Sequence, residues 1–291
     1  MKLKKAVKDL SSGKFKYRDL EELWEMNHNQ VRGMLGNIRN EGYNVLREKA
    51  PDGRLMFYIP ELGFERDEFD IDENIYTKFG IISDKHIGSK YCDKKLLERL
   101  YDDFGKEGCK FVLDGGDITD GIQMYKGHIN EVEVYQFDDE VSLISDIHPD
   151  NLKTYIITGN HDDSWYKRVG ADIMKSIHKA RPDIIPVGRT TARLKGNDGG
   201  EIELTHPSGG VAYARSYKAQ KQIEQMEDRP DLLVRGHCHI AGFWPYLDTY
   251  VIEAGTTQTQ TPYLKAKGLY PQLGGWMVEL YEDKIKTEWV E

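Results

Sequence analysis

Apolar residues fall at helical spacing through the first forty positions of this chain and in short continuous runs later on. Leu3, Ala6, Val7 and Leu10 predict a helix over residues 2–10 that Ser11-Ser12-Gly13 ends, and Leu20, Leu23 and Trp24 predict a second over 17–26. Val31, Leu35 and Ile38 predict a third, which Asn27 or Asn29 can cap. Strand-like segments follow at 45–49 and 54–59. They flank Ala50-Pro51-Asp52-Gly53, where proline fixes φ and glycine accepts a positive φ, so a hairpin is expected.

Beyond residue 75 the pattern changes to β-branched and aromatic runs separated by amphipathic stretches. Phe79–Ser83, Lys110–Leu113 and Thr154–Thr158 read as buried strands. Leu96, Leu97, Leu100 and Phe104 mark a crossover helix over 94–106, and further helices are expected over 131–147 and 164–179. Past Asp183 strands dominate, with candidates at 184–185, 191–195, 201–204, 232–234, 250–252, 277–281 and 285–290. Residues 61–74 are acidic and weakly periodic, which predicts a linker between a module at 1–60 and a body at 75–291. Phe64, Phe69 and Ile71 leave open a short acidic strand paired onto the body.

Candidate chemistry collects where the runs end. Thr154–Thr158 leads into Gly159-Asn160-His161-Asp162, and Phe79–Ser83 into Asp84-Lys85-His86. Lys110–Leu113 leads into Asp114-Gly115-Gly116-Asp117, and Asp231–Arg235 into Gly236-His237-Cys238-His239. Each end alone is compatible with a solvated turn. In an α/β fold, however, the carboxyl ends of neighbouring strands lie along one sheet edge, so four such ends imply one shared site.

Asp84-x-His86, Gly116-Asp-Ile-Thr-Asp120, Gly159-Asn-His-Asp162 and Gly236-His-Cys-His239, in that order, resemble the signature of the calcineurin-like metallophosphoesterases over residues 75–291. The resemblance, with the order of elements, implies a four-layer α/β/β/α sandwich. It also implies that Asp84, His86 and His239 hold one divalent metal, that Asn160, His206 and His237 hold another, and that Asp117 bridges them. A hydroxide shared by the two metals would attack phosphorus in line. His161 would protonate the leaving oxygen, with the Asp120 carboxylate orienting it. His206 matches the family histidine in position but not in its flanking residues, and His178 is its competitor in that interval. Asp114, Asp162 and Asp163 are expected to be structural. Mixed imidazole and carboxylate ligands accept Mn²⁺, the ion expected to support activity, as well as Fe, Zn, Co or Ni. The family's Ser/Thr phosphatases carry an arginine where this chain has Gly121, while the Gly-His-Cys-His turn is similar to the phosphodiesterase and nuclease branch with Mre11/SbcD-like motifs. Tyr125, Lys126 and His128 follow the second motif where substrate could reach them, and Trp165 and Tyr166 sit beside the third.

Residues 1–60, three short helices and a hairpin, resemble a winged helix-turn-helix module. That resemblance places Asn29, Gln30, Arg32, Asn37, Arg39 and Asn40 toward a nucleic-acid groove, with Arg47, Lys49 and Arg54 near phosphates. A protein-binding or dimerisation module of the same shape is the alternative. Charge is consistent with a basic module on an acidic body: residues 1–60 hold twelve Lys/Arg against eight Asp/Glu, and the net −9 of the whole chain leaves −13 on residues 61–291. Cys92, Cys109 and Cys238 form no Cys-x-x-Cys pair and suit a reducing compartment. No eighteen-residue apolar run and no apolar segment after Met1 occurs, so a cytoplasmic protein without a membrane span is expected. The reading that follows is a metal-dependent nuclease or phosphodiesterase on nucleic acid, DNA favoured over RNA. The alternatives are a phosphoesterase for small molecules such as cyclic nucleotides, with residues 1–60 assembling a homo-oligomer, and a non-enzymatic scaffold.

Overall fold

A computed structural model describes residues 3–40, 45–50, 52–58 and 67–291, without the side chains of Lys4, Ser11, Arg39, Asn40, Leu46, Glu48 and Asp67. The chain divides into two units, Met1–Arg66 and Asp67–Glu291. In the first, α1 (Leu3–Ser11), β1 (Phe15–Lys16), α2 (Tyr17–Trp24), α3 (His28–Asn40), β2 (Leu46–Lys49) and β3 (Leu55–Tyr58) follow in order. The two-residue β1 is absent from the sequence expectation. It pairs antiparallel with β3 through Phe15 and Phe57, and the sheet order is β1-β3-β2. Ala6, Leu10, Leu20, Trp24, Val31, Leu35, Ile38 and Phe57 form one core, the helical stripes of the sequence turned toward each other. The expected strand end Ile59, the following Pro60, and Pro51 of the hairpin turn lie outside the described residues.

The second unit opens where a linker was expected. Asp67–Asp70 is a strand, β4, and Ile71 is buried behind it, so the segment 61–74 is not a linker throughout; residues 61–66 lie outside the described residues. There follow β5 (Lys78–Ile82), α4 (Lys94–Lys106), β6 (Val112–Asp114), α5 (Phe137–Ile147), β7 (Thr154–Ile157), α6 (Asp162–Val169), α7 (Ile173–Ala180) and β8 (Ile184–Gly188). The strand-rich half adds β9 (Thr191–Lys195), β10 (Glu201–Thr205), α8 (Tyr217–Glu224), β11 (Leu232–Arg235), β12 (Ala241–Tyr246), β13 (Thr249–Ala254), α9 (Pro262–Ala266), β14 (Gly275–Leu280) and β15 (Ile285–Val290). One helix was expected over 164–179. It is two, because Gly170 turns left-handed at φ 73 and Asp172 caps a new start by accepting from the Lys175 amide.

Two six-stranded sheets result, ordered β12-β13-β11-β10-β9-β4 and β15-β14-β5-β6-β7-β8. Strands β5 to β8 are parallel. Period-two alternation sorts their side chains. Phe79 and Ile81 of β5 and Leu232 and Val234 of β11 face the core between the sheets; Ile82 faces α4, and Leu233 packs with Ala219 and Ile223 of α8. Gly80 is glycine because a Cβ there would strike the Phe104 ring. Helices α4, α5 and α7 cover one sheet and α8 the other, which is the α/β/β/α sandwich. Among the described residues no helix is long and apolar enough to cross a membrane.

Candidate metal centre

Five loops at strand ends build the site. Asp84 and His86 leave β5, Asp117 and Asp120 leave β6, Asn160 and His161 leave β7, His206 follows β10, and His237 and His239 leave β11. Among the described residues eight non-glycine positions have positive φ, and five of them are Asp84, His86, Asp117, His237 and His239. Left-handed backbone is costly for such residues and persists only where the surroundings fix it, which makes this clustering a property of the site and not of loops in general. Gly159 is the point of closest approach, since a Cβ there would collide with the Asp117 carboxylate.

Among the described residues the side chains converge in four overlapping groups, His86-Asp117-His161, Asp120-His128-His161 and two that contain the expected ligands. Asp84, His86 and His239 bring ligand atoms within 4.8 Å of one another, and so do Asp117, His206 and His237. The His86 and His239 Nε2 atoms lie 3.1 Å apart, and His239 Nε2 is 3.3 Å from Asp84 Oδ1. Asp84 is fully buried, yet its Oδ1 accepts no hydrogen bond. In the other ligand group His206 Nε2 lies 3.1 Å from Asp117 Oδ2 and 3.1 Å from Asn160 Oδ1. Asp117 Oδ2 is also 4.0 Å from His86 Nε2, so one carboxylate oxygen stands between the two ligand groups. Facing imidazole nitrogens and an unpartnered buried carboxylate oxygen are costly without a cation and fit one well.

Electrostatics agree with that fit. Burial followed by the nearby His161 lowers the His86 pKa, and burial followed by His206 lowers that of His237 to about 4, so both are neutral donors near pH 7. Burial disfavours the Asp84 carboxylate, but His239 and His206 outweigh it and hold its pKa at about 2. Burial likewise opposes the His206 imidazolium, yet Asp117 and Asp84 lift its pKa to about 10. Without a metal, His206 therefore holds the proton that a cation would replace.

Asp120 differs from expectation. His161 Nδ1 donates to the Asp120 main-chain carbonyl at 2.6 Å, while the Asp120 carboxylate stays 3.9 Å from that nitrogen. The carboxylate instead meets His86 Nδ1 at 3.2 Å, His128 Nε2 at 3.2 Å and Gln258 Nε2 at 3.3 Å. Its charge beside Nδ1 favours the His86 tautomer protonated there and leaves that ring's Nε2 to face the cluster. Of these neighbours, sequence reasoning placed His128 only as a loop residue near substrate and missed Gln258; the buried Glu140 was missed as well. Burial raises the Glu140 pKa to about 8, and its oxygens accept from the Asp120 and Gly121 amides and the Trp165 indole.

Asp162 is structural, as expected: it accepts from the Asp117, Thr119 and Gly159 amides and so fastens the second motif to the third. Asp114 accepts from the Gly116 amide and pairs with the buried Lys85. Asp163 pairs with Arg189 and Lys167. His178 sits on α7, its Nδ1 donating to the Ile184 carbonyl, and joins none of these groups.

The N-terminal candidates do not converge in this way. Asn29, Arg32, Asn37, Arg47, Lys49 and Arg54 are exposed. Gln30 closes a reciprocal cap with Asn27, each side chain accepting from the other's amide, so its carbonyl oxygen belongs to the start of α3. The side chains of Arg39 and Asn40 lie outside the described residues.

A family model for the calcineurin-like phosphoesterase superfamily domain matches residues 77–267. The chain is 25% identical over 267 residues to the DNA polymerase II small subunit of Pyrococcus abyssi, with 74% of this chain and 42% of that protein covered. It is 26% identical over 288 residues to the counterpart from Methanocaldococcus jannaschii, with 83% and 47% covered. The chain therefore spans less than half the length of these relatives. Among solved structures, an archaeal phosphodiesterase matches at a TM-score of 0.44 and 14% identity, with 73% of this chain and 99% of that one covered.

Proposed function

Because the chain belongs to the calcineurin-like phosphoesterase superfamily, we propose that its buried His/Asp cleft is the site of a dinuclear metal-dependent hydrolase of nucleic-acid phosphodiesters, DNA favoured. The observation that carries this is Asp117 Oδ2, which stands 3.1 Å from His206 and 4.0 Å from His86, between two donor groups. Asp84, His86 and His239 would hold one divalent ion, Asn160, His206 and His237 the other, and Asp117 would lie between them. Such a pair neutralises phosphoryl oxygens and lowers the pKa of water. Mn²⁺ is the ion proposed for activity.

The chain's own residues then position and protonate. His161 Nδ1 carries a proton held by the Asp120 carbonyl, so the proton given to a leaving oxygen resides on Nε2. The His161 amide donates to Asp117 Oδ1 at 2.7 Å, which couples the place of the acid to that of the central carboxylate.

DNA is preferred because the relatives are, by name, DNA polymerase small subunits. The same names support assembly with a larger polypeptide in place of, or beside, self-association. Residues 1–60, with the order helix, strand, two helices and two strands, are read as a winged helix that brings α3 to nucleic acid.

Metal-reconstituted protein assayed on labelled single- and double-stranded DNA and RNA, beside aryl mono- and diesters, tests the reading. Cleavage of DNA with defined end groups is expected. Turnover of the aryl diester alone would move the substrate to small molecules, and no turnover with both metals bound would remove the hydrolase.

A further inference from the structure

From His161 a line of rings runs to the surface. His161 and His128 lie 6.0 Å apart between centroids, His128 and Tyr125 4.9 Å, and Tyr125 and Tyr263 4.1 Å with only 17° between their planes. From His128 outward burial falls, from 2% exposure through the half-buried Tyr125 to Tyr263 at 38%. Both rings of the stack are anchored, and the segment before Tyr263 is tied to the site. Tyr125 Oη donates to Glu131 at 2.8 Å, and the segment leading to Tyr263 is held by Gln258, which donates to Asp120 and Ser89, and by the Thr259 amide, which donates to the Tyr91 carbonyl.

Core packing does not account for the outer ring. Tyr263 belongs to α9, a five-residue helix with no buried residue, so stacking there adds little to the fold. Three exposed lysines adjoin the two rings along the chain, Lys126 beside Tyr125 and Lys265 and Lys267 beside Tyr263, while residues 61–291 as a whole carry a net −13. The Lys267 ammonium lies 5.7 Å from the Tyr263 centroid. An aromatic face with exposed cations beside it has the chemistry that holds an unpaired nucleotide, the ring taking the base and the lysines the phosphates.

We propose that Tyr263, backed by Tyr125, is the stacking platform for a nucleobase of an unpaired strand on the leaving-group side of the scissile phosphate. The side follows from His161, and so this assignment rests on the acid role proposed above. The platform makes a nucleotide beyond the cleaved bond a determinant of specificity, and it tolerates any base because every base has a π-face.

The test uses the full chain without metal and a short oligodeoxythymidylate carrying one 2-aminopurine, whose fluorescence falls on stacking. Quenching is expected with the wild type and with Tyr263→Phe. Tyr263→Leu should lose it and bind about ten- to a hundredfold more weakly. Because Tyr263 is a surface residue, unchanged melting should accompany the loss. Equal quenching and affinity in Tyr263→Leu, or no quenching in the wild type, would overturn the platform. Metal-loaded protein separates the two readings. Tyr263-dependent quenching without cleavage of any oligonucleotide would keep the platform and discard the nuclease; cleavage unaffected by Tyr263→Leu would do the reverse.

Discussion

The strand-end cleft and the N-terminal unit present polar side chains in opposite ways. In the cleft, Asp84, His86, Asp117 and His206 are each at most 3% exposed, on backbone that is left-handed at three of the four. In the N-terminal unit Asn29, Arg32, Asn37, Arg47, Lys49 and Arg54 stand in solvent. Burying carboxylates and imidazoles together is expensive unless they offset one another or a cation joins them, and the cleft groups them where a cation could sit. Exposed arginines and asparagines cost nothing and need no such partner. The second unit therefore carries convergent geometry, and the first only shape and charge.

The largest effect that could break this contrast is at its centre. Asp117→Asn should abolish nearly all hydrolysis, because a neutral amide cannot balance two cations, and metal analysis should find at least one ion lost. Full turnover with two ions retained would remove Asp117 from its central role. His161→Ala comes next, with metals retained and turnover reduced by about 10²–10⁴-fold. The deficit should shrink on an aryl ester whose leaving group needs no proton. Equal deficits on aryl and alkyl esters would rule out His161 as the acid.

Asp120→Asn sharpens the contrast within the cleft itself. The carbonyl that holds His161 survives this change, whereas the anion that holds His86 does not. Metal affinity should weaken by about 10–100-fold, and the leaving-group dependence should stay that of the wild type. If the variant copied the His161→Ala pattern, the carboxylate would be the orienting group after all. A smaller signal belongs to His206. Its pKa of about 10 keeps it protonated at pH 8, so metal binding there should release close to one proton, a release that fades as the pH rises through 10. Calorimetry in buffers of different ionisation enthalpy measures it; no buffer dependence at pH 8 would mean that His206 is neutral before metal arrives.

Sequence pointed to the candidate ligands because each follows a strand whose apolar run announces a buried end. What it concealed was connectivity. Nothing in Asp120 says that its main chain serves one histidine while its side chain serves another. His128 reads as a solvated loop residue until Tyr125, Asp120 and Gln258 are seen around it. Three elements were hidden or left open for local reasons. Strand β12 contains Gly242 and Pro245, which mark non-strand in isolation but are tolerated on the sheet edge that it occupies. Strand β4 is so acidic that its single inward anchor, Phe69, was outweighed, and parallel pairing with β9 supplied what composition withheld. Helix α8 carries only Ala219 and Ile223 as buried positions, too few to show a period.

The smallest effect tests the exposed side of the comparison. If α3 lies against nucleic acid, Arg32, exposed on it, makes its contact with a phosphate or a base edge. A phosphate contact releases counterions, so Arg32→Ala should weaken binding of a long DNA by a few-fold and make the slope of log K against log salt shallower by about 0.9. Hydrolysis of a small aryl phosphodiester should not change, because the site residues all lie at or beyond Asp84. Deleting residues 1–60 should enlarge the same two changes while again sparing the aryl substrate. An unchanged slope in both variants, together with a changed oligomeric state by light scattering after the deletion, would make the N-terminal unit an assembly module, and the exposed arginines ordinary solvated surface.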